Sequence, residues 1–389
     1  MSKVDALIAK LCPDGVQFKK LGEVALISNT GVDKKIIPGE SEVSLLNYMD
    51  ICRNRKISNE NLSAITTASS RKIIECNLLK GDIFITPSSE TRDDLAVASE
   101  IVSDIPNAVY SYHIMRIRLI DFNQLNPTFI VHLFASRLIQ EQVIRLSTGM
   151  TRYGLTKPKW ESLVFPIPPL KIQEEIVEIL DKFEELQAEL QAELQARKTQ
   201  YEYYRRSTLT HSEIDVPFTS LSDIYEFQYG TGNTIPTTGG MFPVYGSNGI
   251  VGTHSEFNSE NAPVIGHIGA YAGIVNWADG KHFVTYNGVI CRIKKGHDPR
   301  FGYHLLRNLN LRELANAGSQ PFVSYDKLRN VKVQIPGIEK QIQIATLLDD
   351  FDSLVTDVAR GLPAEIEARG QQYEFYRNKL LTFNEMDAA

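Results

Sequence analysis

Between residues 166 and 210 apolar side chains recur at Ile172, Ile176, Ile179, Phe183, Leu186 and Leu190. Alternating steps of four and three bury one narrow stripe of a helix against a partner, the mark of a coiled-coil seam. The next seam position, 193, is Glu, and the apolar residue arrives at Leu194, which reads as a stutter. Pro168 and Pro169 stand just ahead, where a missing N–H costs nothing. The pattern predicts a first long helix over 166–214, with LQAELQAELQA in its middle.

Ahead of it, the runs LGEVALI, EVSLLNYM, GDIFIT and YHIMRIRLI are divided by Gly, Pro, Asn and Ser, and predict a strand-rich domain over 1–165. A helix over 128–146 follows, with Phe129, Leu133, Ile139, Val143 and Leu146 on one face. Then come the basic loop STGMTRYGLTKPKW and the strand ESLVFPI. A second domain over 215–335 starts with a similar strand, turns rich in Gly and Asn, and ends with a helix near 300–314 and the loop AGSQPFVSYDKL.

The last stretch, 336–389, repeats the first helix. Ile167, Pro168, Gln173, Ile176, Leu180, Asp181, Phe183 and Leu186 recur as Ile335, Pro336, Gln341, Ile344, Leu348, Asp349, Phe351 and Leu354. YEYYR at 201–205 recurs as YEFYR at 373–377, and NPTFIVHLF at 126–134 echoes in DPRFGYHLL at 298–306. A second seam is expected at Ile344, Leu347, Phe351, Leu354 and Val358, interrupted near 361–363 by Gly361 and Pro363. Two copies of one unit, a globular domain and then a long helix, account for nearly the whole chain.

At 389 residues with 43% hydrophobic content the chain can bury two or more cores. No apolar run reaches the ~20 residues of a membrane span, and the N-terminus has no signal-peptide core. Cys12, Cys52, Cys76 and Cys291 are scattered without a CxxC pair, which suits buried thiols in a cytoplasmic protein. The net charge of −6 argues against a nucleic-acid binder, but the acidity lies in the two helical stretches, leaving near-neutral domains able to carry local basic faces.

Catalytic signals are missing. IPPL at 167–170 lacks the polar and aromatic residues of an adenine-methyltransferase motif, and Asp93-Asp94 has no Lys companion of the nuclease type. GHIGAYAG lacks the GK[ST] ending of a nucleotide loop. His113, His132, His254, His267, His282 and His304 show no metal-ligand spacing. No catalytic residue and no metal site are expected.

The duplicated order of domain, IPPL..Q..I..ILD helix, domain and IPGI.KQ..I..LLD helix, with the LQAE run between, resembles the DNA-specificity subunits of type I restriction–modification systems over essentially the full length. The resemblance implies an α+β fold: two target-recognition domains related by pseudo-two-fold symmetry and held apart by two antiparallel coiled-coil helices. It implies a bipartite duplex DNA site, one half read by each domain. It also implies two docked adenine-N6 methyltransferase subunits, and motor-nuclease subunits that join in some systems. S-adenosylmethionine and ATP would then belong to those partners, and this chain would need no cofactor. The alternatives are a protein-binding coiled-coil scaffold without DNA affinity, and a self-contained methyltransferase.

Base edges are read by Asn, Gln, Arg or Ser, with cations on phosphates. In the first domain the candidates are Asn47, Tyr48, Arg53, Arg55, Lys56, Ser89, Arg92, Arg152, Tyr153 and Lys157. In the second they are Tyr245, Ser247, Asn248, His267, Tyr271, Asn287, Ser319 and Gln320. Each LQAE unit adds about 6 Å of helix and about 40° of rotation, so the repeat reads as a ruler for the gap between half-sites.

Overall fold

A computed structural model describes residues 3–92, 94–210, 217–232, 239–316, 320–356 and 361–386. The chain forms two units: Met1–Ala188 together with the segment from Ala368 onward, and Glu189–Glu367.

The first unit is built on a five-stranded sheet in the order Ala25–Ser28, Met115–Leu119, Ile83–Ile85, Ala98–Ile101, Lys56–Ile57. Its pairs are antiparallel except the last. Met115–Leu119 alternates buried and half-buried side chains, as a strand with one face on the core must. A three-stranded sheet, Ala64–Ala68, Ser41–Leu46, Ala108–Tyr110, covers a second core around Leu45, Phe84 and Tyr110. The helix expected over 128–146 is two helices, Pro127–Phe134 and Arg137–Leu146. Ser136 breaks it, its hydroxyl donating to the Leu133 carbonyl (2.6 Å) while its backbone turns extended.

The second unit repeats this frame. Phe218–Ser220 pairs with Lys332–Gln334 as Gln17–Lys20 pairs with Val164–Ile167. Pro299–Asn308, capped by Asp298, answers Pro127–Phe134, capped by Asn126. The middle differs: a six-stranded sheet in the order Tyr225–Tyr229, Gly288–Ile293, Ser259–Gly266, Val275–Val284, Phe242–Gly246, Gly249–His254.

Two glutamines explain why the Q of the repeated motif recurs. Gln173 is fully buried; its Oε1 accepts from the Asn126 N–H (2.9 Å), and its Nε2 donates to the carbonyls of Gln124 (2.8 Å) and Pro168 (2.7 Å). Gln341 does the same in the second unit, accepting from Asp298 N–H (2.9 Å) and donating to Pro336 O (2.8 Å). Each ties the start of a long helix to the cap of the neighbouring short one, satisfying backbone groups that burial would otherwise strand.

The long helix, Leu170–Thr210, runs 41 residues without a break. Ile172, Ile176 and Leu180 are fully buried in the first core, and Phe183, Leu190 and Leu194 are half-buried. The observed seam is Ile176, Leu180, Phe183, Gln187, Leu190, Leu194, Arg197, Tyr201. Its steps alternate four and three throughout, so there is no stutter at Leu194. Ile179 is half-buried beside the seam, whereas Leu186 is 52% exposed and not on it. The same one-residue offset appears in the second helix, Ile338–Thr356. Ile344, Leu348 and Val355 are buried and Phe351 half-buried, while Leu347 (44%) and Leu354 (39%) face outward. The offset arises because Gln, Arg and Tyr stems line a seam as well as leucine does. Val358 lies outside the described residues. The terminal helix, Leu362–Leu380, begins with Pro363 in its first turn, where proline is tolerated.

Within the first unit the terminal helix packs antiparallel on the long helix. Phe183 stacks on Tyr376 (5.6 Å between centroids) and lies 6.1 Å from Tyr373, and a Cβ at Gly370 would sit 3.4 Å from the Gln187 amide. The chain's end continues into the same unit, where Val16 N–H donates to Asn384 O (2.9 Å) and Met386 N–H to Val16 O (3.0 Å). Within the second unit Tyr204 stacks on Phe351 at 5.4 Å, the equivalent contact.

Candidate nucleic-acid interface

Several basic candidates of the first domain are committed elsewhere. Arg55 donates to His132 Nδ1 (2.9 Å) and pairs with Glu184 (2.6 Å), and Lys56 pairs with Asp181 (2.7 Å). His132, fully buried, must accept at Nδ1 and so donates from Nε2 to Asp181 Oδ1 (3.0 Å). The Tyr373 hydroxyl, from the terminal helix, donates to Glu184 at 2.5 Å. Burial would raise Asp181, but hydrogen bonds from His132 and Lys56 hold it below the usual carboxylate range. Arg55 and Lys56 therefore anchor the long helix and are not free to meet phosphates.

The same construction recurs in the second unit. His304, fully buried and pushed down by that burial, donates to Asp349 (2.6 Å). Arg300 forks onto Asp349 (2.9 and 3.0 Å), and Tyr201 receives Arg307 (3.2 Å), which also pairs with Asp352 (2.9 Å). Sequence reasoning missed both clusters, although His132 and His304, Asp181 and Asp349, and Tyr201 and Tyr373 hold matching positions in the repeat. Donor atoms of His132, Asp181 and Glu184 lie within 4.8 Å of one another, a spacing that could hold a metal ion. Arg55 and Lys56 already balance those carboxylates, so a cation would have to displace them.

Asn47 is a buried helix cap, its Oδ1 accepting from Met49 N–H (2.8 Å) and Asp50 N–H (3.3 Å). That role leaves its acceptor spent. Arg53 is exposed, and Lys157 opens the helix Lys157–Glu161, 3.7 Å from Glu161. The remaining first-domain candidates come together. Ser88–Ser89 pairs with Tyr153–Gly154, Arg92 lies 4.9 Å over the Tyr153 ring, and Arg152 donates to Ser88 Oγ (3.0 Å). Ser89 is buried and Tyr48 sits beside it, its phenol raised by burial against a hydrogen bond from Ser89. The result is a patch of two exposed guanidinium groups, one of them over an aromatic ring.

The second domain gathers its candidates at one end of the six-stranded sheet. Thr285 N–H donates to Tyr245 O (3.0 Å), His267 N–H to Asn287 O (2.8 Å), Gly269 N–H to Pro321 O (2.8 Å) and Val323 N–H to His267 O (2.9 Å). Ser247 and Asn248 form the two-residue turn joining Phe242–Gly246 to Gly249–His254. Gly266 is required there, since a Cβ would fall 2.3 Å from the carbonyls of both Ser247 and Tyr271. Tyr245 is buried, and burial raises its phenol, so it supports the end and does not contact from it. Tyr271, Asn287 and Gln320 are exposed or half-buried; Ser319 lies outside the described residues. His267 is 5% exposed; around it stand Tyr229, Tyr286 and Phe322, with Tyr325 against Tyr229, and none of these four rings is among the contacts expected from the sequence.

The two assemblies occupy one place in the shared frame. Tyr153 pairs with Ser89 in the first unit, and Phe322 bridges Ile268 in the second, each just ahead of a Thr156- or Ser324-capped short helix. One holds guanidinium groups, the other rings and an imidazole.

The family model for the type I restriction modification DNA specificity domain matches residues 13–197 and again 213–368. The chain belongs to that family. Relatives in Escherichia coli are the type I restriction enzyme EcoprrI specificity subunit and the EcoR124I/EcoR124II specificity subunit. The first is 37% identical over 211 residues, covering 50% of this chain and 53% of the relative. The second is 31% identical over 247 residues, covering 56% of this chain and 61% of the relative. The chain thus aligns with between half and two thirds of their length. In fold it resembles the type I restriction-modification S subunit from M. genitalium, with a TM-score of 0.59 at 16% identity, covering 94% of this chain and 96% of that one. Among the described residues no helix is long and apolar enough to cross a membrane.

Proposed function

We propose that this specificity-family chain is the DNA-reading subunit of a type I restriction–modification complex, each unit reading one half of a bipartite duplex site. The observation that carries this is the shared loop junction that bears guanidinium groups in one unit and an aromatic–histidine set in the other. A frame duplicated with its anchors intact, but with this junction changed in chemistry, is what two readers of different sequences require. Arg53, Arg92, Arg152, Tyr153 and Lys157 in the first unit, and Ser247, Asn248, His267, Tyr271, Asn287 and Gln320 in the second, are the proposed contacts. Asn47, Arg55, Lys56, Ser89 and Tyr245 serve as supports.

The chain itself performs no catalysis in this reading. Its long helices would dock two adenine-N6 methyltransferase subunits, which bind S-adenosylmethionine, and ATP-driven restriction subunits would join through them. Methylome sequencing of the host with and without the chain tests this: one split N6-methyladenine motif should vanish. Exchanging residues 217–335 for the equivalent stretch of another family member should then change one half of that motif. An unchanged methylome, together with no affinity of the assembled complex for any duplex, would leave a protein-binding scaffold.

A further inference from the structure

We propose that the ring cluster around His267 reads one base of the second half-site by accepting a hydrogen bond from the exocyclic amino group of an adenine or cytosine. This rests on the DNA-reading function proposed above and names the residue and the chemistry that carry it in the second unit.

His267 is 95% enclosed, with 5% of its surface exposed. Its Nδ1 lies 2.7 Å from the Val323 carbonyl oxygen, which can only accept, so Nδ1 carries the hydrogen. The neutral ring is left with Nε2 as an acceptor. Among the described residues that nitrogen has no hydrogen-bond partner, yet it is not one of the polar atoms sealed from solvent. An imidazole held this firmly, with its tautomer fixed and its free lone pair at an opening, is arranged to meet a donor from outside.

The surroundings narrow the donor. Tyr229 lies 4.5 Å from the imidazole, Tyr286 5.5 Å and edge-on, and Phe322 6.3 Å, while Tyr325 backs Tyr229 at 4.5 Å. Tyr286 (44% exposed) and Phe322 (39% exposed) form the open rim. Arg329 lies over Tyr325 at 4.7 Å, and no guanidinium group stacks on Tyr229, Tyr286 or Phe322 among the described residues. A phosphate is met best by cations, and this rim presents rings, the Tyr286 phenol and an acceptor, with no cation stacked on it among the described residues. In the major groove only adenine N6 and cytosine N4 offer a donor; guanine O6 and N7 and thymine O4 would face the Nε2 lone pair and be rejected. The first unit's junction presents Arg92 and Arg152, donors suited to the opposite pair of bases.

The test uses the full chain, with its methyltransferase partner where binding requires it, on the duplex it selects from random DNA. Each adenine or cytosine of the half-site assigned to the second domain is replaced in turn by purine or 2-pyrimidinone, which lack the amino group. One such replacement should weaken binding by the parent about tenfold, the worth of one base-edge hydrogen bond, and should cost His267→Ala nothing further. Tyr286→Ala and Phe322→Ala, at exposed positions, should weaken preference at that position and leave the other half-site unchanged. Equal losses in parent and His267→Ala at every position would overturn the assignment. If His267→Ala does not fold, unaltered preference in both rim variants overturns it. Selection of no sequence by the parent would instead sink the DNA-reading function.

Discussion

Asp349→Asn removes the anion on which Arg300 and His304 converge. Arg300 Nε lies 3.0 and 2.9 Å from the two carboxylate oxygens, and Nη2 and His304 Nε2 lie 2.5 and 2.6 Å from Oδ1. Burial would raise this acid, but those donors hold it at about 2, against an ordinary 3.8. At about 1.36 kcal/mol per unit the difference amounts to about 2.4 kcal/mol. The carboxylate is 31% exposed, so solvent screening reduces the expectation to about 1–2 kcal/mol. Because the folded value is depressed, the contribution is full above pH ~4 and fades as the acid is titrated toward pH ~2. Urea unfolding of the parent, Asp349→Asn and the exposed control Asp350→Asn at pH 7, 4 and 3 should show a midpoint deficit for Asp349→Asn alone. That deficit should be largest at pH 7, with about half remaining at pH 3. Hydrogen exchange should place the loss in the second unit. Equal midpoints for the two variants at pH 7, or a deficit that does not narrow on acidification, would refute the reasoning.

Other expected outcomes follow from the seam and the buried tyrosines. Leu180→Ala, at a fully enclosed site, should cost about 2–5 kcal/mol, whereas Leu186→Ala should stay within about 0.5 kcal/mol; thermal melts compare them directly. Tyr201 is pushed up to about 12 by burial, so its stabilising effect holds below pH ~10 and is lost as pH rises toward ~12. Tyr201→Phe should therefore lack that part of the alkaline loss in a pH-jump unfolding series. Deleting residues 187–190 removes about 6 Å of helix against about 3.4 Å per base pair, and should shorten the gap in the methylated motif by one or two base pairs. An altered half-site instead would show that the repeat is no spacer.

The duplicated frame was legible because anchors such as Gln173 and Gln341, or Asp181 and Asp349, must keep their identity to make their hydrogen bonds. The seam was legible to within one residue. Leu186, Leu347 and Leu354 misled because apolar letters were counted while Gln187 and Tyr201, which line the groove, were not. Arg55 and Lys56 looked like phosphate ligands since their partners Asp181 and Glu184 stand more than a hundred residues away in sequence. His267 was picked out from its own segment, but Tyr229, Phe322 and Tyr325 join it only through the fold. No local pattern announces a ring cluster assembled from four stretches.

The placement of Tyr373 and of the strand-like contact between Val16 and Asn384 has a bearing on how the protein is made. The first unit holds residues up to Ala188 and then waits for Ala368 onward, so about 180 residues must be translated in between. At ~5–20 residues per second that interval is on the order of ten to forty seconds. During it the nascent first domain exposes the Phe183 face and keeps Glu184 without its tyrosine. A premature stop anywhere in the second half would thus damage the domain already synthesised as well as the one cut short.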